Sequence, residues 1–317
     1  MKAFKNVSAY IDGEVRRADI VFDGRILGVD GVTDGAEMID LPDGAIVLSG
    51  FIDGHVHGAG GADAMDGTRT ALDTISKTLA REGTTAFLAT TMTTARDDIF
   101  AALRAAGEYE SDGAGAELLG VHLEGPFIAE KYKGAQRAEF IELPNARLLN
   151  EFDRAANGKI KVVTFAPEKS GADELVKYCA EKGIVASIGH TAATCVQAER
   201  AVELGARGVT HTFNAQSPFT HREAGVAGVA LGDDRLCCEL IADCIHVSTE
   251  AIRVLVKCKP RDKITLITDA IRAKGLADGE SELGGQTVYV KDGQARLKDG
   301  TLAGSVLKMN EALRNLV

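Results

Sequence analysis

Residues 50–58 read Gly-Phe-Ile-Asp-Gly-His-Val-His-Gly, directly after the apolar run Ala45-Ile46-Val47-Leu48. Side chains two apart on a strand share a face, so His55 and His57 would project together from a strand end. Alone, such a pair also fits an ordinary turn, and the rest of the chain has to decide. From residue 45 onward, short apolar runs alternate with amphipathic stretches. The runs are AIVLSGFIDGHVH, TTAFLATT, LLGVHLEGP, KVVTFAPE, VASIGH, GVTHTFN, RLCCELIAD and KITLITDA, eight in all. Between them, helical spacing puts Leu72, Ile75 and Leu79 on one face, and likewise Ile99, Phe100 and Leu103, then Leu175, Val176 and Cys179, then Ile252, Leu255 and Val256. Eight β/α units over a stretch of this length predict an α/β protein with a (β/α)8 TIM-type barrel spanning residues 47–317. The alternative, a doubly wound open sheet, is disfavoured because no glycine-rich phosphate loop follows the first run.

Residues 1–46 differ. NVSAYIDGEV and ADIVFDGRILGVD, the latter with Asp23-Gly24 between apolar stretches, predict a small N-terminal β domain. Near the other end, residues 284–303 read as a β-hairpin insertion turning at Lys291-Asp292-Gly293. The last segment has helical spacing at Val306, Met309, Leu313 and Leu316.

With 317 residues, 45% of them hydrophobic, the chain has the material for a sizeable core. Its net charge of −10 is spread along the sequence, which argues against a nucleic-acid partner. The six cysteines include no C-x-x-C pair and read as free thiols of a reducing, cytoplasmic compartment. No signal layout opens the chain, and no apolar run is long enough for a membrane helix.

In a barrel of this type the chemistry sits at the C-terminal ends of the strands. Those ends carry His55 and His57 (first run), His122 and Glu124 (third), His190 (fifth), His211 (sixth) and Asp269 (eighth). His122 lies one layer deeper and reads equally as a hydrogen-bonded core group; His221, in a polar loop, reads as solvated. Imidazole and carboxylate donors together suit zinc, iron or a similar divalent ion, and a bridging carboxylate suits two ions. Such an ion lowers the pKa of water to about 7 and polarises a carbonyl. Asp269 would then take the water proton and pass it to a leaving nitrogen; its other reading is a helix N-cap before Ala270.

The segments GFIDGHVHG, HLEGPFI, IGHTAAT, THTFNA, GVAGVAL, LIADCIHVS, LITDA and GTLAGS, in this order, resemble the N-acetylglucosamine-6-phosphate deacetylase family of the amidohydrolase superfamily, from about residue 45 to the end. The resemblance implies metal-dependent hydrolysis of the acetamide of N-acetylglucosamine 6-phosphate to glucosamine 6-phosphate and acetate. It implies Glu124, His190 and His211 as the main metal ligands, His55 and His57 as donors to a second ion, and Asp269 as catalytic acid and base. Zinc is the first expectation, with iron, manganese or cobalt as alternatives, at one or two ions per subunit. The substrate contacts it implies are Asn214, Ala215, Arg222, His246, Leu302, Ala303 and Gly304. Arg222 would reach across from a neighbouring subunit, so a homodimer is implied too.

Two departures stand out. Gln136 occupies the place where many relatives carry a histidine; an amide donates a hydrogen bond but takes no proton, so Gln136 is assigned to substrate contact. Relatives also continue beyond the point where this sequence stops, which predicts a partial N-terminal β domain lacking strand partners, with open edges and exposed apolar surface. The alternatives in function are an N-acetylgalactosamine-6-phosphate deacetylase or another amidohydrolase, and a sugar-phosphate binder without hydrolysis. Retention of Asp269 argues against the binder.

Overall fold

The computed structural model describes residues 1–317, which divide into two compact units, Met1–Phe51 and Ile52–Val317. The larger unit is built on eight parallel strands: β1 (Phe51–Val56), β2 (Thr84–Thr90), β3 (Glu117–Glu124), β4 (Ile160–Phe165), β5 (Val185–Ile188), β6 (Gly208–Val209), β7 (Cys237–Ile241) and β8 (Ile264–Ile267). Each coincides with one of the eight apolar runs, β3 and β4 starting one residue before theirs, and they pair in sequence order. The ring closes where β1 meets the residues just after β8. Val56 bridges Ala270, Asp269 N–H donates to His55 O at 2.8 Å, and His57 N–H donates to Ala270 O at 2.8 Å. This sequential order and closure give the (β/α)8 barrel and exclude the doubly wound sheet.

Parallel neighbours require crossovers, supplied by α1 (Arg69–Ala80), α2 (Arg96–Glu108), α3 (Ala146–Ala155), α4 (Ala172–Lys182), α5 (Cys195–Leu204), α6 (Gly225–Gly232) and α7 (Thr249–Cys258). Helix α1 starts where the Thr68 hydroxyl accepts Ala71 N–H, and α5 starts in a Thr194/Gln197 capping box. The buried faces follow the predicted spacing: Leu72, Ile75 and Leu79 on α1, Ile99 and Leu103 on α2, where the expected Phe100 is only half-buried, and Leu175, Val176 and Cys179 on α4. Burying each such aliphatic side chain contributes about 1.5–3 kcal/mol before chain entropy is counted. On α7 the expected face narrows to Ile252 and Leu255, because Val256 sits on its rim, 47% exposed.

After β8 the predicted hairpin exists as the centre of a larger four-stranded antiparallel sheet: β9 (Gly279–Leu283), β10 (Gln286–Lys291), β11 (Gln294–Arg296) and β12 (Leu302–Ser305). Asp292 and Gly293, at φ 51° and 76°, make the tight turn between β10 and β11. Alternate side chains Val288, Val290, Ala295 and Ala303 bury with Met92, Ile271 and Leu283 in a core of their own. Helix α8 (Met309–Arg314) follows and buries Met309 and Ala312.

In the smaller unit, the strand Lys2–Ile11 pairs antiparallel with Glu14–Phe22 and parallel with Glu37–Met38 and Ile46–Val47, while Ile26–Val29 adds to Glu14–Phe22. The segment therefore finds strand partners within itself, contrary to expectation, because its first strand is long enough to pair along both edges. Its buried apolar set is small: Ala9, Ala18 and Ile20 form one cluster, and Ala3 and Val21 are buried too. Exposed apolar side chains do occur, Ile26 and Leu27 among them.

Candidate metal centre and active site

The barrel's strand ends bring His55, His57, Glu124, His190, His211 and Asp269 together, all buried. His190, His211 and Asp269 each follow a strand with positive φ, at 46°, 31° and 49°. Such backbone is uncommon outside glycine and persists where surrounding bonds impose it. Here Ala129 N–H binds His190 O at 2.8 Å, His211 N–H binds Glu239 Oε2 at 3.1 Å, and Asp269 N–H binds His55 O. The early turn at His211, Phe213 and Ala215 also explains why β6 is only two residues long. Asp269 starts no helix, which removes its N-cap reading.

Glu124 is the hub. Its Oε1 lies 3.2 Å from His190 Nε2, 3.1 Å from His211 Nε2 and 3.4 Å from His55 Nε2; its Oε2 lies 3.4 Å from His57 Nε2. Asp269 Oδ1 is 3.2 Å from His57 Nε2 and 3.4 Å from His55 Nε2. Two donor groups result among these residues, Glu124/His190/His211 and His55/His57/Asp269, and His55, His122 and Glu239 form a third, each with ligand atoms within 4.8 Å of one another.

The tautomers test whether these groups fit an ion. His190 Nδ1 lies 2.8 Å from Tyr132 O, and His211 Nδ1 lies 3.1 Å from Asn214 O. Carbonyls only accept, so both Nδ1 atoms carry hydrogen. In the neutral rings, the two Nε2 atoms then face each other at 3.1 Å as lone pairs, beside a carboxylate. That arrangement suits a shared cation. His55 Nε2, buried and without a hydrogen-bond partner, fits the same requirement in the second group.

Without an ion, protons carry the positive charge. Burial pushes His55 down, but Glu124, Asp269 and Glu239 outweigh it and lift its pKa to about 9. Burial pushes Asp269 up, yet His55 and His57 bring it down to about 2, leaving an ionised carboxylate. His122 is different: burial, reinforced by His55, lowers it to about 4. Its Nδ1 donates to Gly54 O at 3.2 Å and its Nε2 accepts from Thr164 Oγ1 at 2.7 Å, so it offers no free nitrogen. The hydroxyls continue beneath the site, Thr164 to Thr210 at 2.8 Å and Thr210 to Ser187 at 2.7 Å.

A cavity of about 330 Å³ opens over these groups, with His57, Glu124, His190, His211 and Asp269 in its wall. Of the expected substrate contacts, Gln136, Asn214, Ala215, His246, Leu302 and Gly304 also line it. Gln136 is held at both ends, donating to Glu124 Oε2 at 2.7 Å and accepting Thr93 N–H at 2.6 Å. His246 Nδ1 lies 2.6 Å from Asp243 Oδ2. Gly304 sits at φ 61°, where a Cβ would come within 2.6 Å of Ile271 and 2.9 Å of Asp269 O. Ala303 points the other way, into the core of the β9–β12 sheet, as strand alternation requires. Arg222 is exposed on the loop before α6 and does not line the cavity.

The amidohydrolase family profile matches residues 46–317, which include the whole barrel unit. The chain belongs to the amidohydrolase family. An N-acetylglucosamine-6-phosphate deacetylase of Bacillus subtilis (strain 168) is 47% identical to this amidohydrolase over 282 residues, covering 88% of this chain and 71% of the relative. An N-acetylgalactosamine-6-phosphate deacetylase of Escherichia coli O157:H7 is 37% identical, covering 91% and 78%. A crystal structure of the Pasteurella multocida N-acetylglucosamine-6-phosphate deacetylase superimposes with a TM-score of 0.90 at 32% identity, covering 100% of this chain and 84% of that one. The family implies a divalent metal, and the first two donor groups are its candidate sites. No helix of this amidohydrolase is long and apolar enough to cross a membrane.

The sequence reading passed over three carboxylates. Asp53, inside the opening motif, accepts Thr268 N–H at 3.2 Å and the Thr268 hydroxyl at 2.5 Å, tying β1 to the end of β8. Asp243 orients His246. Glu239 sits among the histidines, and its signal was available: a lone charge inside the apolar run Cys237-Cys238-Glu239-Leu240-Ile241.

Proposed function

We propose that this amidohydrolase cleaves the acetamide of N-acetylglucosamine 6-phosphate, adding water to give acetate and glucosamine 6-phosphate. The observation that carries this reading is the approach of His190 Nε2 and His211 Nε2 to one oxygen of Glu124, at 3.2 and 3.1 Å, under the cavity. These three residues would hold a divalent ion, and His55 and His57, with Asp269, a second. Zinc suits the imidazole and carboxylate donors best, with iron, manganese or cobalt next. When bound, the ion supplies Lewis-acid polarisation of the acetamide carbonyl and a lowered pKa for the attacking water.

The chain's own groups do the rest. Asp269, ionised, accepts a proton from the water at Oδ and delivers it to the amine nitrogen as the C–N bond breaks. Gln136, with one amide hydrogen engaged by Glu124, has a second to offer the substrate. His246, fixed through Nδ1 by Asp243, has its other ring nitrogen for the phosphate, together with Asn214 and the backbone at Ala215. Leu302 and Gly304 wall the sugar, with Ala303 contributing main chain only. Arg222 completes the phosphate site from a neighbouring subunit of a homodimer, in keeping with its position on an exposed loop. The compartment is the cytoplasm.

The Escherichia coli relative favours a second reading, the galacto epimer as substrate. Acetate release measured on both sugar phosphates separates the two. Tight binding without acetate from either would overturn hydrolysis, and elemental analysis of protein purified without chelator tests the metal.

A further inference from the structure

We propose that Glu239 is a positioning residue of the metal centre: its carboxylate turns His55 so that Nε2 faces Glu124 and Asp269, and the same oxygen anchors the backbone of His211. The proposal rests on the hydrolase reading above and deepens it. Glu239 projects from β7 into the barrel, and its Oε2 lies 3.1 Å from His55 Nδ1 while accepting His211 N–H at 3.1 Å. An ionised carboxylate only accepts, so His55 Nδ1 is the donor and Nε2 is the one ring nitrogen left for an ion. That nitrogen lies 3.4 Å from both Glu124 Oε1 and Asp269 Oδ1 and has no hydrogen-bond partner.

Metal-bound histidines commonly donate their second nitrogen to a carboxylate or carbonyl, which fixes the tautomer and raises ligand basicity. His190 and His211 use carbonyls, those of Tyr132 and Asn214. His55 alone among the three uses a carboxylate. The neighbouring His57 has a buried Nδ1 with no partner at all. Glu239 thus touches one residue from each of the first two donor groups, His55 of one and His211 of the other. Its remaining oxygen is 3.8 Å from His122 Nδ1, which is already committed to Gly54 O, so His122 does not compete for the role.

The test is zinc uptake by the intact chain and by Glu239→Gln and Glu239→Leu, read by competition with a chromophoric chelator and by elemental analysis. Loss of the carboxylate in Glu239→Leu is expected to weaken uptake about 10–100-fold. Glu239→Gln, which keeps a neutral acceptor, is expected to fall between it and the unaltered chain. Uptake by both variants at unaltered affinity and number overturns the proposal. Should Glu239→Leu fail to fold, nitrogen-15 histidine spectra of the zinc-loaded unaltered chain decide. Hydrogen on His55 Nδ1 supports the assignment, and hydrogen on Nε2 overturns it. An unaltered chain that takes up no ion overturns the hydrolase reading as well, whereas normal uptake by all three proteins overturns only the role of Glu239.

Discussion

The barrel unit buries polar groups, whereas the N-terminal sheet exposes apolar ones. Within Ile52–Val317, Glu124, Asp269 and four histidines of the site are all less than a tenth exposed, each beside an oppositely charged or hydrogen-bonding neighbour. Within Met1–Phe51, Ile26 and Leu27 are each 60% exposed on the strand Ile26–Val29. The difference follows from size. A large core supplies enough apolar burial to hold costly polar clusters in place, while a small sheet has too little interior to cover even its own aliphatic side chains. Chemistry resides where desolvated charge is sustainable.

Four experiments test this contrast. Stripping the ion with a chelator is expected to bring acetate release to background and zinc to restore it; activity that survives complete removal would break it outright. Next, Asp269→Asn is expected to slow turnover roughly 10²–10⁴-fold while zinc remains at Glu124/His190/His211, measured as kcat beside metal content. A third change probes a buried charge away from the ion. Lys274 and Glu82 form an ion pair with side chains 1% and 5% exposed, and Lys274→Met, leaving the carboxylate unpaired, is expected to cost about 3–5 kcal/mol by denaturant unfolding. Smallest is Leu27→Lys in the N-terminal sheet, expected to stay within about 0.5 kcal/mol. If Leu27→Lys cost as much as Lys274→Met, the two regions would not differ as described.

The barrel was legible because each strand is an apolar run ended by a polar residue, and because helix faces such as Leu72, Ile75 and Leu79 keep their spacing after folding. The site was legible for the same reason: His55, His57, Glu124, His190, His211 and Asp269 all stand at or just past strand ends. Glu239 was not, because a single carboxylate in an apolar strand identifies neither its partner nor its layer, and His55 is 184 positions away. Nor was the extent of the β9–β12 sheet. The turn at Asp292-Gly293 announces the central hairpin, and Gly284-Gly285 and Asp299-Gly300 punctuate the outer strands as well, but Gly279–Leu283 carries a single aliphatic side chain, too few to show a strand period. In the N-terminal sheet, both parallel pairings of Lys2–Ile11 involve two-residue strands, too short to show a period.

The cavity-wall strand β12 is bonded to the backbone of Asp269, the proposed acid and base: Ser305 N–H donates to Asp269 O at 2.7 Å, and Ile271 N–H donates to Ser305 O at 3.0 Å. On the proposed roles of these residues, selectivity and reactivity are mechanically geared together. Grafting another segment at 302–305 to admit a different sugar would drag the proton shuttle with it, so a new preference should be sought first in side chains facing the cavity, with the main-chain splice left intact.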